Sequence, residues 1–111
     1  MDQSEVARLI GELEAEVNNG GFDQFFFNSA GNEASEILEA LDAVGATRTA
    51  EIVRRACSRF AGGMPPKGWT DRQEELTERV SPDSDAFDTE DEEFFAYEDD
   101  LAGLVAAYSD R

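Results

Sequence analysis

Apolar residues recur at helical intervals along most of the chain, and the pattern is interrupted by short glycine-rich or polar stretches. Val6, Leu9, Ile10, Leu13 and Val17 form a stripe that predicts a helix from about Ser4 to Val17, with Glu5, Glu12 and Glu16 on its other side. Gly11 interrupts the stripe and implies either close packing against a neighbour or simple tolerance. The run Asn18-Asn19-Gly20-Gly21 then predicts a stop, because Asn and Gly accept the backbone angles of a helix end or tight turn. Phe22, Phe25 and Phe26 follow at i, i+3 and i+4, a spacing that puts three rings on one face of a short second helix closed by Asn28-Ser29-Ala30-Gly31. A helix of two turns persists only if its rings are buried, so this stretch reads as an aromatic plug for longer helices. The amides Asn18, Asn19, Gln24 and Asn28 around it are expected to satisfy backbone groups of the turn rather than bind a ligand.

Beyond the plug, Asn32 is placed to cap a third helix with Ala34, Ile37, Leu38, Leu41 and Val44 inward and Gly45 at its end. Its outer side carries Glu33, Glu36, Glu39 and Asp42, a carboxylate row with no intervening base. Thr47 is expected to cap a fourth helix with Ala50, Val53, Ala56, Cys57 and Phe60 inward. That helix holds Arg48, Arg54, Arg55 and Arg59, which in so acidic a chain are expected to pair with carboxylates on neighbouring helices. Residues 62–69, GGMPPKGW, read as a loop pinned by Trp69. Thr70 and Gln73 suggest a capping box opening a fifth helix to about Val80, with Leu76 and Val80 inward and Glu75 and Arg79 paired at i, i+4. Ser81-Pro82 breaks it. A last helix carries Leu101, Leu104, Val105 and Tyr108, with Phe94, Phe95 and Tyr97 at or before its start. Without β-type alternation or a hairpin dipeptide, the fold expected is all-α: residues 1–111 as a single domain of five to six helices around the short Phe-rich one.

Composition excludes more chemistry than it suggests. No histidine occurs and Cys57 is the only cysteine, which removes imidazole catalysis, disulfide scaffolds and His/Cys zinc sites. No metal or cofactor is expected, and the chain is not read as an enzyme. Cys57, on an inward stripe, is read as a buried apolar residue. The start of the chain lacks the features of a signal peptide and no apolar run approaches membrane-spanning length, so a cytoplasmic location is expected.

Charge is the dominant global feature, with 26 acidic against 9 basic residues and a formal net of -17. Such a chain repels nucleic acid and anionic membranes, so neither is an expected partner. Residues 70–111 hold 15 acids and 3 bases, whereas residues 1–69 hold 11 and 6. The most acidic segment, residues 83–93, fails the EF-hand pattern at three positions counted from Asp83. Phe87, Phe94 and Phe95 imply that this segment docks as an ordered, partly helical arm.

Residues 17–31 with their NNGGFDQFFFNS core, ALDAVGA at residues 40–46, the FAGGMPP turn and the closing FFAYEDDLAGLVAAY together resemble the DNA-mimic protein (DMP) family of small, acidic, helical bacterial proteins. The resemblance implies a helical protein that binds a basic DNA-binding protein, such as a transcription factor, and inhibits it by keeping it from DNA. Independently of the resemblance, duplex DNA presents about one negative charge per 1.7 Å of axis. Acids at i, i+3 and i+4 on a helix lie about 5–6 Å apart, the order of the phosphate spacing along one strand. The candidate partner-binding acids are Asp85, Asp88, Glu90, Asp91, Glu92, Glu93, Glu98, Asp99 and Asp100 of the arm, and the row Glu33, Glu36, Glu39 and Asp42. The arm is favoured because no base lies within it. Two copies side by side would extend the charge track to operator scale, making a homodimer an expectation. An immunity protein or antitoxin covering the basic site of a nuclease toxin would show the same composition. Generic acidity of a salt-adapted proteome is a further reading, which the concentration of charge after residue 70 disfavours.

Overall fold

Val6, Leu9, Ile10, Leu13 and Val17 form the buried stripe of helix α1, each no more than 1% exposed. The structure, a computed structural model, describes residues 1–110. Helix α1 runs Gln3–Phe27, and the Asp2 carboxylate accepts from the Ser4 N–H at 2.8 Å at its start. The predicted stop after Val17 is a break inside this one element. Gly20 (φ -155°, ψ 21°) and Gly21 (φ 71°, ψ -171°) leave helical geometry, and residues 22–27 resume it in a new direction. A Cβ at Gly11 would meet nothing within 4 Å, so that glycine is tolerated rather than required by packing.

The break delivers Phe22, Phe25 and Phe26 into the core with no exposed surface. Phe22 meets Phe94 edge-on at 5.9 Å between centroids, and Phe26 packs on Phe60 and Phe87 at 4.9 and 5.2 Å. Aromatic pairs at such separations add to the burial of their area. The plug therefore exists as the second limb of α1. Helix α1 lies at the centre of the domain, and most of the later helices pack against it.

A 3-10 turn at Ser29–Glu33 leads into α2, Ala34–Val44. Asn32 does not cap α2; its side-chain oxygen accepts instead from Arg72 at 2.8 Å. Gly45, at φ 80°, closes α2 as expected, and α3 follows at Thr47–Cys57. Thr47 does not cap α3 either, because Ala46 occupies the cap position. Helix α3 packs on α2 and on α5, Asp88–Phe95. Phe87 and Phe94 are buried and anchor the acidic segment as expected, whereas Phe95 remains 50% exposed. The last helix, α6, spans Leu101–Ser109, with Leu101 buried and Leu104, Val105 and Tyr108 packed against the core edge. Six helices and no strand among the described residues make the fold all-α.

Helix α4, Trp69–Glu75, has Gly68 at its cap position and no capping box. Trp69, Arg72 and Gln73 sit at i, i+3 and i+4, and all three reach back to the end of α1. Trp69 Nε1 and Gln73 Nε2 donate to the Phe27 carbonyl at 2.7 and 2.9 Å, and the Arg72 guanidinium donates to the carbonyls of Phe26 and Asn28 at 2.7 and 2.9 Å. These carbonyls are among the acceptors that a helix end leaves unpaired. Trp69 thus pins its loop by a hydrogen bond, with its ring 47% exposed, rather than by burial. After Glu75 the chain tightens no further into α-geometry and completes one π turn, Leu76–Val80.

Candidate partner-binding surface

The amides around the α1 break bond mainly to side chains, contrary to the expectation that they serve the backbone. Asn18 Nδ2 donates to the Tyr97 hydroxyl at 2.8 Å, which itself donates to Glu14 at 3.0 Å. Gln24 and Asn28 both donate to Glu16. The backbone group exposed by the break, the Phe22 N–H, is capped from a distance by Asp91 Oδ1 at 2.8 Å.

The arginines of α3 pair with carboxylates, as their setting predicted, and in doing so they overturn the expectation that the acidic arm is unneutralised. Glu90 is 1% exposed and held by Arg59 at 2.8 Å and Arg55 at 3.4 Å. Glu93 pairs with Arg48 and Arg55, and Glu98 with Arg48 at 2.8 Å. Arginine carries three neighbouring carboxylates because its fork of donors is planar and broad. Two further arm acids act as helix caps. Asp99 Oδ2 accepts from the Thr49 N–H at 2.7 Å, supplying from another element the cap that Ala46 cannot give α3. Asp100 caps its own helix through the Gly103 N–H.

The row on α2 is also neutralised from outside. Glu33 pairs with Arg8 at 2.8 Å, Glu36 with Lys67 at 2.7 Å and Asp42 with Arg54 at 2.6 Å, leaving Glu39 exposed and without an ion pair among the described residues. These bases lie on α1, α3 and the loop before α4. Spacing along α2 alone could not reveal them.

What stays open is a narrower acidic surface. Asp85, Asp88 and Glu92 are exposed and make no ion pair among the described residues. Asp23, absent from the sequence-derived candidates, joins them because the break in α1 turns it towards the start of α5. Partial burial, with Asp88 and Asp85 close by, raises its carboxyl above the usual range against the pull of Ser81. Asp91 is raised likewise by partial burial and then by Asp23, Asp88 and Glu90, despite its bond to the Phe22 N–H. Desolvation and like charge both disfavour the ionised form at Asp23 and Asp91, which lie in one acidic cluster with Asp88. Cys57 is buried and its thiol is pushed up to about 12, which leaves it inert at neutral pH.

Stability against pH follows from these shifts. The raised values of Asp23 and Asp91 mean that the folded state binds more protons, so stability rises as the pH falls through them towards the unfolded carboxylate range near 4. Glu33, Glu36 and Glu93, held low first by Arg8, Lys67 and Arg55 respectively, contribute above that range, and their share is lost as pH falls through their folded values. Thermal melts from pH 7 to pH 3 are expected to peak on the acid side of neutrality and fall steeply below about pH 4. A steady decline from pH 7 downwards would contradict this balance.

A single all-α domain, with six helices among its described residues and a large acidic surplus, places the chain in the class of small acidic helical proteins. Within that class the chain belongs to the DMP19-like protein family, a family of DNA mimics, whose profile matches residues 2–111. No curated protein and no solved structure matches the chain. No described helix is long and apolar enough to cross a membrane.

Proposed function

We propose that this protein binds a basic DNA-binding protein, such as a transcription factor, and occupies the site that would otherwise hold DNA. The observation that carries the reading is an acidic surface that no base reaches: Asp23, Asp85, Asp88 and Glu92, none with an ion pair among the described residues, at the junction of the α1 break and α5. A protein that reads the DNA backbone offers Lys and Arg in matching positions. The longest dimension of the molecule, 43 Å, is comparable with one turn of B-DNA at about 34–36 Å. On this reading one chain spans about one helical turn, and a homodimer, measurable by light scattering, would span an operator of two half-sites.

The test is affinity capture on the immobilised protein, followed by challenge of the retained partner with duplex DNA. Competitive displacement by the duplex supports the reading. Retention of a nuclease toxin would turn it into neutralisation by an immunity protein, and retention of nothing would remove it. Substituting Asp85→Asn, Asp88→Asn and Glu92→Gln together is expected to weaken capture by about 1–2 kcal/mol, roughly 5- to 30-fold, and to flatten its salt dependence. Asp91 is left intact because it caps Phe22. An unchanged affinity would exclude this acidic surface.

A further inference from the structure

Of the four consecutive-limb phenylalanines, Phe22, Phe25 and Phe26 are fully buried and Phe27 is 46% exposed. It lines a groove of about 440 Å³ together with Leu76 and Thr77 of the π turn, with Asp23, Gln24, Asn28, Ser81 and Ser84 around it. Three features shape this groove. The Phe27 carbonyl accepts from both Trp69 and Gln73, which ties the backbone beneath the ring to α4. The facing wall is a π turn, a departure from α-geometry that is frequent at functional positions. Ser84 holds a positive φ of 57°, unusual for a residue with a side chain.

The rim of the groove supplies the chemistry of its occupant. Asp23 lines it, and Asp85 and Asp88 lie close enough to act on that carboxylate. Arg79, the base of the π turn, is already held by Glu75. An apolar trough under an uncompensated acidic rim complements a segment that is basic on its flanks and apolar at one anchor position. We propose that the groove receives an apolar side chain from a Lys/Arg-rich amphipathic helix of the partner protein. This rests on the mimic reading and deepens it: the carboxylates attract any basic surface, whereas the Phe27 groove selects among basic surfaces. DNA offers no such anchor, so the groove gives this protein a contact that the nucleic acid it displaces does not make. A preformed apolar pocket at the centre of a polar contact is where binding energy concentrates, and its rigidity spares the cost of ordering it on binding.

Two synthetic peptides of equal length and positive charge test the proposal, one a Lys/Leu amphipathic helix and the other its Lys/Ala counterpart. Binding to the intact chain is followed by titration calorimetry and by emission of Trp69, the sole tryptophan, whose indole is bonded to the Phe27 carbonyl. The Lys/Leu peptide is expected to bind about tenfold more tightly, consistent with burial of one leucine side chain, and to shift the Trp69 emission. Phe27→Ser, at an exposed position, and Thr77→Gln, which fills the groove with an uncharged side chain, are each expected to abolish the preference while leaving Lys/Ala binding within about twofold, since neither changes a charge. Equal, salt-sensitive binding of both peptides to the unsubstituted protein would overturn the groove and leave the acidic reading standing. Absence of binding by either peptide at low salt would overturn both. Persistence of the preference in both folded variants would also refute the assignment.

Discussion

Replacing Arg72 with methionine is expected to lower stability by about 3–5 kcal/mol and the midpoint of thermal unfolding by about 12–25 °C. Arg72 is fully buried, yet no carboxylate accompanies it. Its five hydrogen bonds end on the carbonyls of Phe26, Asn28, Pro66 and Lys67 and on the Asn32 side chain. Burial lowers its basicity, but an arginine begins far enough above neutrality to remain charged. Methionine restores the packed volume and none of the donors, so several acceptors would be left in the interior unpaired. The space is matched to the guanidinium: a Cβ on Gly31 would come within 2.6 Å of Arg72 Nε. Lysine reaches fewer of these acceptors and is expected to fall between the two. Circular dichroism melts of the three proteins decide the matter, and a shift below about 5 °C for methionine would show that water replaces the guanidinium at little cost.

Gly21→Ala is the second large effect, with an expected loss of about 3 kcal/mol or more. Two causes add. The conformation at φ 71°, ψ -171° is one that residues with a Cβ essentially do not adopt. A Cβ there would also stand 2.5 Å from Asp91 Oδ2, the carboxylate that caps Phe22. A double-mutant cycle separates the two. Asp91→Ala alone should cost about 1 kcal/mol, as for a lost helix cap. Gly21→Ala should then cost less in that background, because only the backbone strain remains. Equal costs in both backgrounds would show that Asp91 moves aside freely and that strain alone makes the glycine necessary. Loss of the break would also move Asp23 away from Asp85 and Asp88, so folded protein surviving with alanine is expected to bind its partner more weakly.

The helices were legible where one face of one segment carried the signal. The α1 stripe, the Phe22, Phe25, Phe26 face, the inward residues of α2 and α3 and the Gly45 stop all follow from local periodicity and backbone preference, which depend on neighbours within two turns. Caps are not legible locally, for the opposite reason. Asn32, Thr47 and Thr70 had suitable side chains in suitable positions, but the acceptors and donors actually used came from Arg72, Asp99 and the end of α1, remote in the chain. The W-x-x-R-Q spacing of Trp69, Arg72 and Gln73 was the one available sign of the α4 contact, and it describes a face without saying what that face touches.

The sequence by itself determined the helical class, the buried aromatic stretch, the acidic surplus and the absence of imidazole or disulfide chemistry, because each depends on composition or on spacing within an element. Only the tertiary structure decided which carboxylates remain uncompensated. Arg48, Arg55 and Arg59 cancel much of an arm that contains no base of its own, Arg8, Lys67 and Arg54 cancel most of the α2 row, and the α1 break adds Asp23 to the surface that is left. Coulomb interaction depends on distance through space, and at these separations of a few ångströms the fold, rather than chain order, sets which charges meet.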